Sequence, residues 1–247
     1  KGYDVLLHLA AQSSGPKSFE IPDIDIKINI LGTLNMINWC RDNSVDRIIF
    51  ASSFVVYGDN PDTEILSEDE RCKPKSIYAL SKYTCEQLLQ IYAEPHGIKW
   101  NVLRMFNIYG PGQDLSRNDQ GMVSIFLNLV KNKEYIGVQG SLDRFRDFIY
   151  IDDVVQGWEL CLSNNNVSNQ VFNLGSGTKT YLSNLIDTLI DVYGKAGKVK
   201  VEEVGSTQGD IMGCYADISK ISNKLGYNPK FNLNQGIELF KDWVDDT

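Results

Sequence analysis

The chain has 247 residues, 43% of them apolar, and carries 24 Lys and Arg against 32 Asp and Glu for a net charge of -8, with a pI near 4.8. This is enough apolar material for one large domain or two small ones, and an acidic balance without a long basic run excludes a general binder of nucleic-acid backbones. No stretch approaches the ~20 apolar residues of a membrane span, no signal peptide is visible, and five scattered cysteines without a Cys-x-x-Cys pair read as reduced residues of a cytoplasmic protein.

In chain order, Val5 to Leu9 reads as a strand, Gly32 to Arg41 as a helix, Ile48 to Ser52 as a buried strand, Tyr78 to Ala93 as a helix and Trp100 to Arg104 as another strand. Such alternation predicts a parallel sheet covered on both faces. After Gly110-Pro111-Gly112 the pattern is mixed. Helices are expected near Val123 to Val130, Val154 to Leu162, Leu182 to Val192, Ile218 to Leu225 and Asn234 to Trp243, with short strands near Tyr135 to Val138 and Val171 to Leu174. The expectation is an α/β protein in two parts: residues 1–110, and a smaller lobe mainly from 111–247, with segments such as 147–177 returning to the first part. A ligand would lie in the cleft between them, beyond the carboxyl ends of the strands.

Ser53 ends the apolar run Arg47 to Ala51, and Tyr78-Ala79-Leu80-Ser81-Lys82 opens the helix that follows. A phenol titrates near ~10 in water, and an ammonium one helical turn away favours the phenolate. Lys82 is therefore expected to draw Tyr78 toward neutrality, where a general base works. A Tyr-x-x-x-Lys spacing arises by chance roughly once in a chain this rich in Tyr, so the surrounding strand and helix carry the weight.

Other residues read structurally. With only two histidines, a Ser-His-Asp triad or a His-rich metal site has little support. His8 lies within an apolar run, and His96, beside Pro95 and Gly97, ends a helix. Asp152-Asp153 reads as an acidic cap on the helix expected from Val154 rather than as metal ligands, and no metal is expected. Val171 to Leu174 followed by Gly175-Ser176-Gly177 has the start of a dinucleotide-phosphate turn, but Thr180 occupies its third glycine position.

Seven blocks share a wider pattern: Asp4 to Ala11, Asn29 to Thr33, Ser52 to Gly58, Tyr78 to Lys82, Arg104 to Pro111, Arg146 to Asp153 and Ala216 to Lys220. In content and order they resemble the extended short-chain dehydrogenase/reductases, specifically the NAD-dependent nucleotide-sugar epimerase/dehydratase family. The resemblance implies an incomplete doubly wound, Rossmann-like parallel sheet with a smaller mixed α/β substrate-binding lobe. The family's first strand, Gly-rich turn and helix have no counterpart here, so roughly 60 family-typical residues are expected upstream. The chain as written is expected to hold NAD only weakly.

The resemblance also assigns roles. It makes Ser53, Tyr78 and Lys82 the catalytic triad, with Tyr78 exchanging a proton with a sugar hydroxyl, Ser53 hydrogen-bonding to it and Lys82 holding the nicotinamide ribose. NAD is further placed by Leu9, Ala10, Ala11, Gln12, Asn29, Ser52 and Phe106. The nucleotide sugar is placed by Ser53, Asn107, Arg146, Asp210 and Cys214, with the Arg146 fork suited to a diphosphate. Where UDP-galactose 4-epimerases carry Arg-x-Gly-Asp, this chain has Thr207-Gln208-Gly209-Asp210. Arg144, on the same strand face as Arg146, offers a replacement charge, and the nucleotide base stays open. Cys214 stands where a large Tyr limits the sugar's 2-substituent in those enzymes, and reads equally as a small pocket residue or a reduced core thiol. The helices near 32–41 and 78–93 are more apolar than one buried face requires; burial against the sheet explains this, and so does the family's homodimer.

The residues after Ser53 narrow the reaction. The family's 4,6-dehydratases place Asp-Glu there and its decarboxylases a Glu at the second position, whereas Phe54 and Val55 can carry no proton. What remains is reversible oxidation at one carbinol, and hence NAD-dependent epimerisation of a nucleotide sugar, at carbon 4, through a transient keto-sugar. A keto-sugar reductase uses the same triad, and a catalytically silent cofactor-binding protein is the alternative of another class.

Overall fold

The computed structural model describes residues 2–59, 63–117, 121–205 and 212–247. Four strands, β1 (Leu6–His8), β2 (Arg47–Ser53), β3 (Lys99–Met105) and β4 (Gln170–Leu174), form a parallel sheet in that order. Helix α1 (Gly32–Asp42) connects β1 to β2, and α2 (Ile77–Leu88) connects β2 to β3. Then come α3 (Met122–Asn132), α4 (Ile151–Ser163), α5 (Leu182–Val192), α6 (Ser219–Leu225) and α7 (Leu233–Asp246).

The apolar run of β2 feeds two cores, because successive side chains point to opposite faces of a sheet. Ile48 and Phe50 pack with Ile37 and Cys40 of α1 and Cys85 of α2. Ile49 and Ala51 pack with Val154 and Trp158 of α4 and Ile221 of α6. A third core joins α3, α5 and α7 through Leu127, Ile186 and Phe240, and takes in Ile136 and Val138 from a parallel pair of strands, Tyr135–Gln139 with Lys200–Val204. Phe148 and Tyr150 belong to that third core, while α4, which follows them, packs on the sheet that β4 completes.

Helix α4 starts at Ile151, not at Val154, so Asp152 and Asp153 fall inside its first turn and make no capping bond there. Asp153 instead turns inward and accepts from the backbone N–H groups of Lys230 (2.8 Å) and Phe231 (3.1 Å), pinning the segment ahead of α7. Two wide π-helical turns flank the early helices, Asp25–Leu31 before α1 and Leu89–Ala93 after α2. In the first, the buried side chains are polar, Asp25 and Asn29, while Ile26, Ile28 and Leu31 are exposed. Among the described residues no helix is long and apolar enough to cross a membrane.

Candidate active site

Ser53 closes β2 in an extended conformation as the chain turns into the single helical turn Phe54–Tyr57. Ser76 caps α2 by accepting from the Ala79 N–H at 3.1 Å, so Tyr78 sits in the first turn and Lys82 one turn deeper. Tyr78 and Ser53 face the same cavity, and the nearby Ser53 hydroxyl pulls the phenol's pKa down. Lys82 is 4% exposed. Its ammonium donates to the Ala51 carbonyl at 2.7 Å and lies 4.9 Å from the Phe50 ring centre. Burial lowers its pKa to about 8, opposed by Cys85, Glu86 and Asp25.

Tyr78 departs from the sequence expectation. Burial pushes its phenol up to about 12, the Ser53 hydroxyl opposes this, and Asp25 adds to it. The spacing puts Tyr78 and Lys82 on one helix face, but the ammonium is turned onto Ala51, and the loss of water around the phenol outweighs any attraction it feels. Burial therefore holds the Tyr78 phenol in its protonated form.

These residues open on a cavity of about 480 Å³. Its wall brings Ser52, Ser53, Tyr78 and Lys82 together with Phe106 and Asn107, which follow β3, and with Leu9 and Ala11, which follow β1. Phe54 and Val55 line it as well, and the Phe54 ring stacks on Phe106 with centres 5.1 Å apart. An apolar wall therefore stands where a second proton carrier would be needed. Gln113, Met122, Val123 and Phe148 also line the cavity; no motif marks the first three in the sequence, since they come from the loop before α3 and from its start.

Other expected residues lie off this wall. Gln12 and Asn29 bind each other, the Gln12 N–H donating to Asn29 Oδ1 at 2.8 Å and Asn29 Nδ2 to the Gln12 carbonyl at 3.1 Å. Asn29 Nδ2 also donates to Ser81 Oγ at 2.8 Å, so the pair ties the segment after β1 to α2. Ala10 is exposed. Ser52, although on the wall, donates its hydroxyl to Glu86. Arg146 donates to the carbonyls of Phe145 (2.7 Å) and Met212 (3.3 Å), and Arg144 to those of Ser141 (2.9 Å) and Gln139. Cys214 is buried in a cluster with Phe106, Tyr57 and Leu66, and burial raises its thiol to about 11. Asp210, with Thr207-Gln208-Gly209, lies outside the described residues.

The Gly175-Ser176-Gly177 turn does hold an anion, and the anion belongs to the protein. The Asp147 carboxylate accepts from the N–H groups of Ser176 (2.8 Å), Gly177 (3.0 Å) and Ala216 (3.1 Å) and from the Ser176 hydroxyl (2.7 Å). A Cβ at Gly175 would meet Asp147 Oδ2 at 2.6 Å.

A buried cation next to a phenol and serine, reached past the small Ala11 at the carboxyl ends of parallel strands, fits the nicotinamide-ribose half of a dinucleotide. Lys82 has further N–H donors for ribose hydroxyls. Fold and site together define a short-chain dehydrogenase/reductase. The family model for NAD-dependent epimerases and dehydratases matches residues 1–175, and the chain belongs to that family. It is similar to a putative UDP-glucose 4-epimerase of Methanocaldococcus jannaschii, with 34% identity over 99% of this chain and 78% of that protein. Among solved structures, UDP-glucose 4-epimerase from Thermotoga maritima with UDP-glucose matches with a TM-score of 0.91 and 32% identity, covering 98% of this chain and 77% of the other. UDP-N-acetylglucosamine 4-epimerase from Methanobrevibacter ruminantium, in complex with UDP-N-acetylmuramic acid, matches with a TM-score of 0.91 and 30% identity over the same shares.

Proposed function

We propose that this protein epimerises a nucleotide-activated sugar at carbon 4 through a transient keto-sugar, with Tyr78 as acid/base and NAD as cofactor. The carrying observation is one cavity that joins Ser53, Tyr78 and Lys82 to the apolar wall of Phe54, Val55 and Phe106. Tyr78 exchanges the proton of the reacting hydroxyl, and Ser53 holds that hydroxyl in line. Hydrogen bonds to the reacting hydroxyl and the nearby Lys82 ammonium favour the phenolate that takes up its proton. NAD, when bound, supplies the hydride acceptor and donor. Lys82 would hold its ribose, and Leu9 and Ala11 would line its approach. The aromatic wall lets a keto-sugar turn over between the two hydride transfers, because apolar contact is non-directional. Asn107 and Arg146 are assigned to the nucleotide half of the substrate.

Leu31, Trp39, Leu80 and Ile91 are exposed on the α1–α2 side. They form a face for a second copy, and we assign the working form as a homodimer. Five free thiols suit a reducing, cytoplasmic setting.

The test is a product assay. The full-length enzyme, given UDP-glucose, UDP-N-acetylglucosamine and UDP-glucuronate without added reduced cofactor, should interconvert at least one with its 4-epimer while regenerating its cofactor each turnover. Tyr78→Phe should lower kcat roughly 100-fold or more with KM little changed. Stoichiometric loss of reduced cofactor would identify a keto-sugar reductase instead, and cofactor binding without turnover a silent binder.

A further inference from the structure

Tyr78, Lys82 and Glu86 recur every four residues in α2, so one helix face presents a proton carrier, a cation and an anion in succession. Glu86 is fully buried, and its carboxylate gathers three elements. It accepts from the Ser52 hydroxyl of β2 and from Arg104 of β3, whose Nε lies at 3.1 Å and Nη2 at 2.7 Å. Arg104 is 5% exposed, packs its guanidinium 4.7 Å from the Tyr57 ring centre and donates to the Glu68 carbonyl at 3.5 Å.

Stability alone does not account for this pair, since taking two charges out of water costs about as much as their attraction returns, and apolar residues of equal volume often serve as well. Position does account for it. Ser52 precedes Ser53, Arg104 stands two residues before Phe106, and Glu86 lies one turn below Lys82. A single carboxylate therefore fixes the three elements that deliver the cavity's reactive residues.

We propose that Glu86, with Arg104 as its partner, is a positioning residue that holds α2 in register against the ends of β2 and β3, and so sets the approach of Tyr78 to Ser53 and the depth of Lys82, whose ammonium reaches the Ala51 carbonyl at 2.7 Å. Turnover as a readout rests on the epimerase reading of the cavity, but the geometry is measurable without substrate. A misplacement of about 1 Å in such a site costs on the order of 100-fold in rate.

Three forms of the full-length enzyme test this. Glu86→Gln keeps the shape and removes the charge; its kcat should fall by roughly 10- to 100-fold with KM within about twofold, and its substrate-free crystal structure should lack the Lys82–Ala51 hydrogen bond. The double variant Glu86→Leu/Arg104→Met should recover the wild-type melting temperature, while kcat stays as low as in Glu86→Gln. Recovery of both melting temperature and kcat in the double variant, or an intact Lys82–Ala51 hydrogen bond in Glu86→Gln, overturns the proposal and leaves the pair a purely stabilising one. If the wild-type enzyme turns over no nucleotide sugar, the functional reading fails, and the crystallographic comparison still decides the positioning role.

Discussion

Lys82 donates to the backbone carbonyl of Ala51 at 2.7 Å, under the end of β2, rather than to the phenol of Tyr78 one helical turn away. The two residues share a helix face while Lys82 is bonded to the strand, and their tasks separate accordingly. Lys82→Met should leave the Tyr78 pKa near about 12 in the absence of cofactor. In the full-length enzyme it should weaken NAD binding roughly tenfold or more, the value of a lost charged hydrogen bond. Carbon-13 tyrosine NMR titration and calorimetry measure the two effects. A Tyr78 pKa that moves by more than about one unit on losing Lys82 would show that the ammonium already acts on the phenol.

His8 makes stability depend on pH below neutrality. Its Nε2 is hydrogen-bonded to Thr33 Oγ1 at 2.9 Å, and its ring lies 5.5 Å from that of Phe50. Burial first, and the charge of Lys82 second, lower its pKa to about 4. The unfolded chain takes up a proton near about 6.5, so between these values it binds more protons than the folded state. Stability therefore rises with pH through that window and is lost as pH falls from about 6.5 toward 4, by as much as roughly 3 kcal/mol across it. Urea unfolding from pH 4.5 to 7 should show this slope in the wild type and a flatter one in His8→Gln. Equal slopes would remove His8 as the cause.

Asp147 receives four hydrogen bonds at zero exposure. Burial raises its pKa against the combined pull of those donors. Asp147→Ala would strand them in the interior, at an expected cost of about 3 kcal/mol or more in urea unfolding. A loss below about 1 kcal/mol would mean that water or a rearranged turn satisfies the Gly175–Gly177 amides instead.

Cys214 shares a cluster with Phe106, whose ring stacks on Phe54 at the cavity wall. A tyrosine in its place would press on Phe106, with an overpacking cost of about 1–3 kcal/mol. Under the proposed function, Cys214→Tyr should lower kcat/KM for UDP-N-acetylglucosamine relative to UDP-glucose by roughly tenfold, through exclusion of the bulkier 2-substituent. Parallel losses on both substrates would make Cys214 a core thiol only.

Much of the chemistry was legible in local sequence. The apolar run of β2 places Ser53 at a strand end, the four-residue spacing puts Tyr78 and Lys82 on one helix face, and Phe54-Val55 leaves no second proton carrier beside them. The segment before α1 was not legible, because Ile24, Ile26, Ile28 and Ile30 alternate as a strand would. The chain instead forms a π-helical turn that buries Asp25 and Asn29, since Asn29 finds Gln12 and Ser81, partners 17 and 52 residues away. Tertiary structure likewise decided where each buried charge points: Lys82 to Ala51, Glu86 to Arg104 and Asp147 to the Gly175 turn. Those partners come from strands and turns distant in the chain, and burial, which moves the titrations of Tyr78, Lys82 and His8 most, exists only once the chain has folded around them.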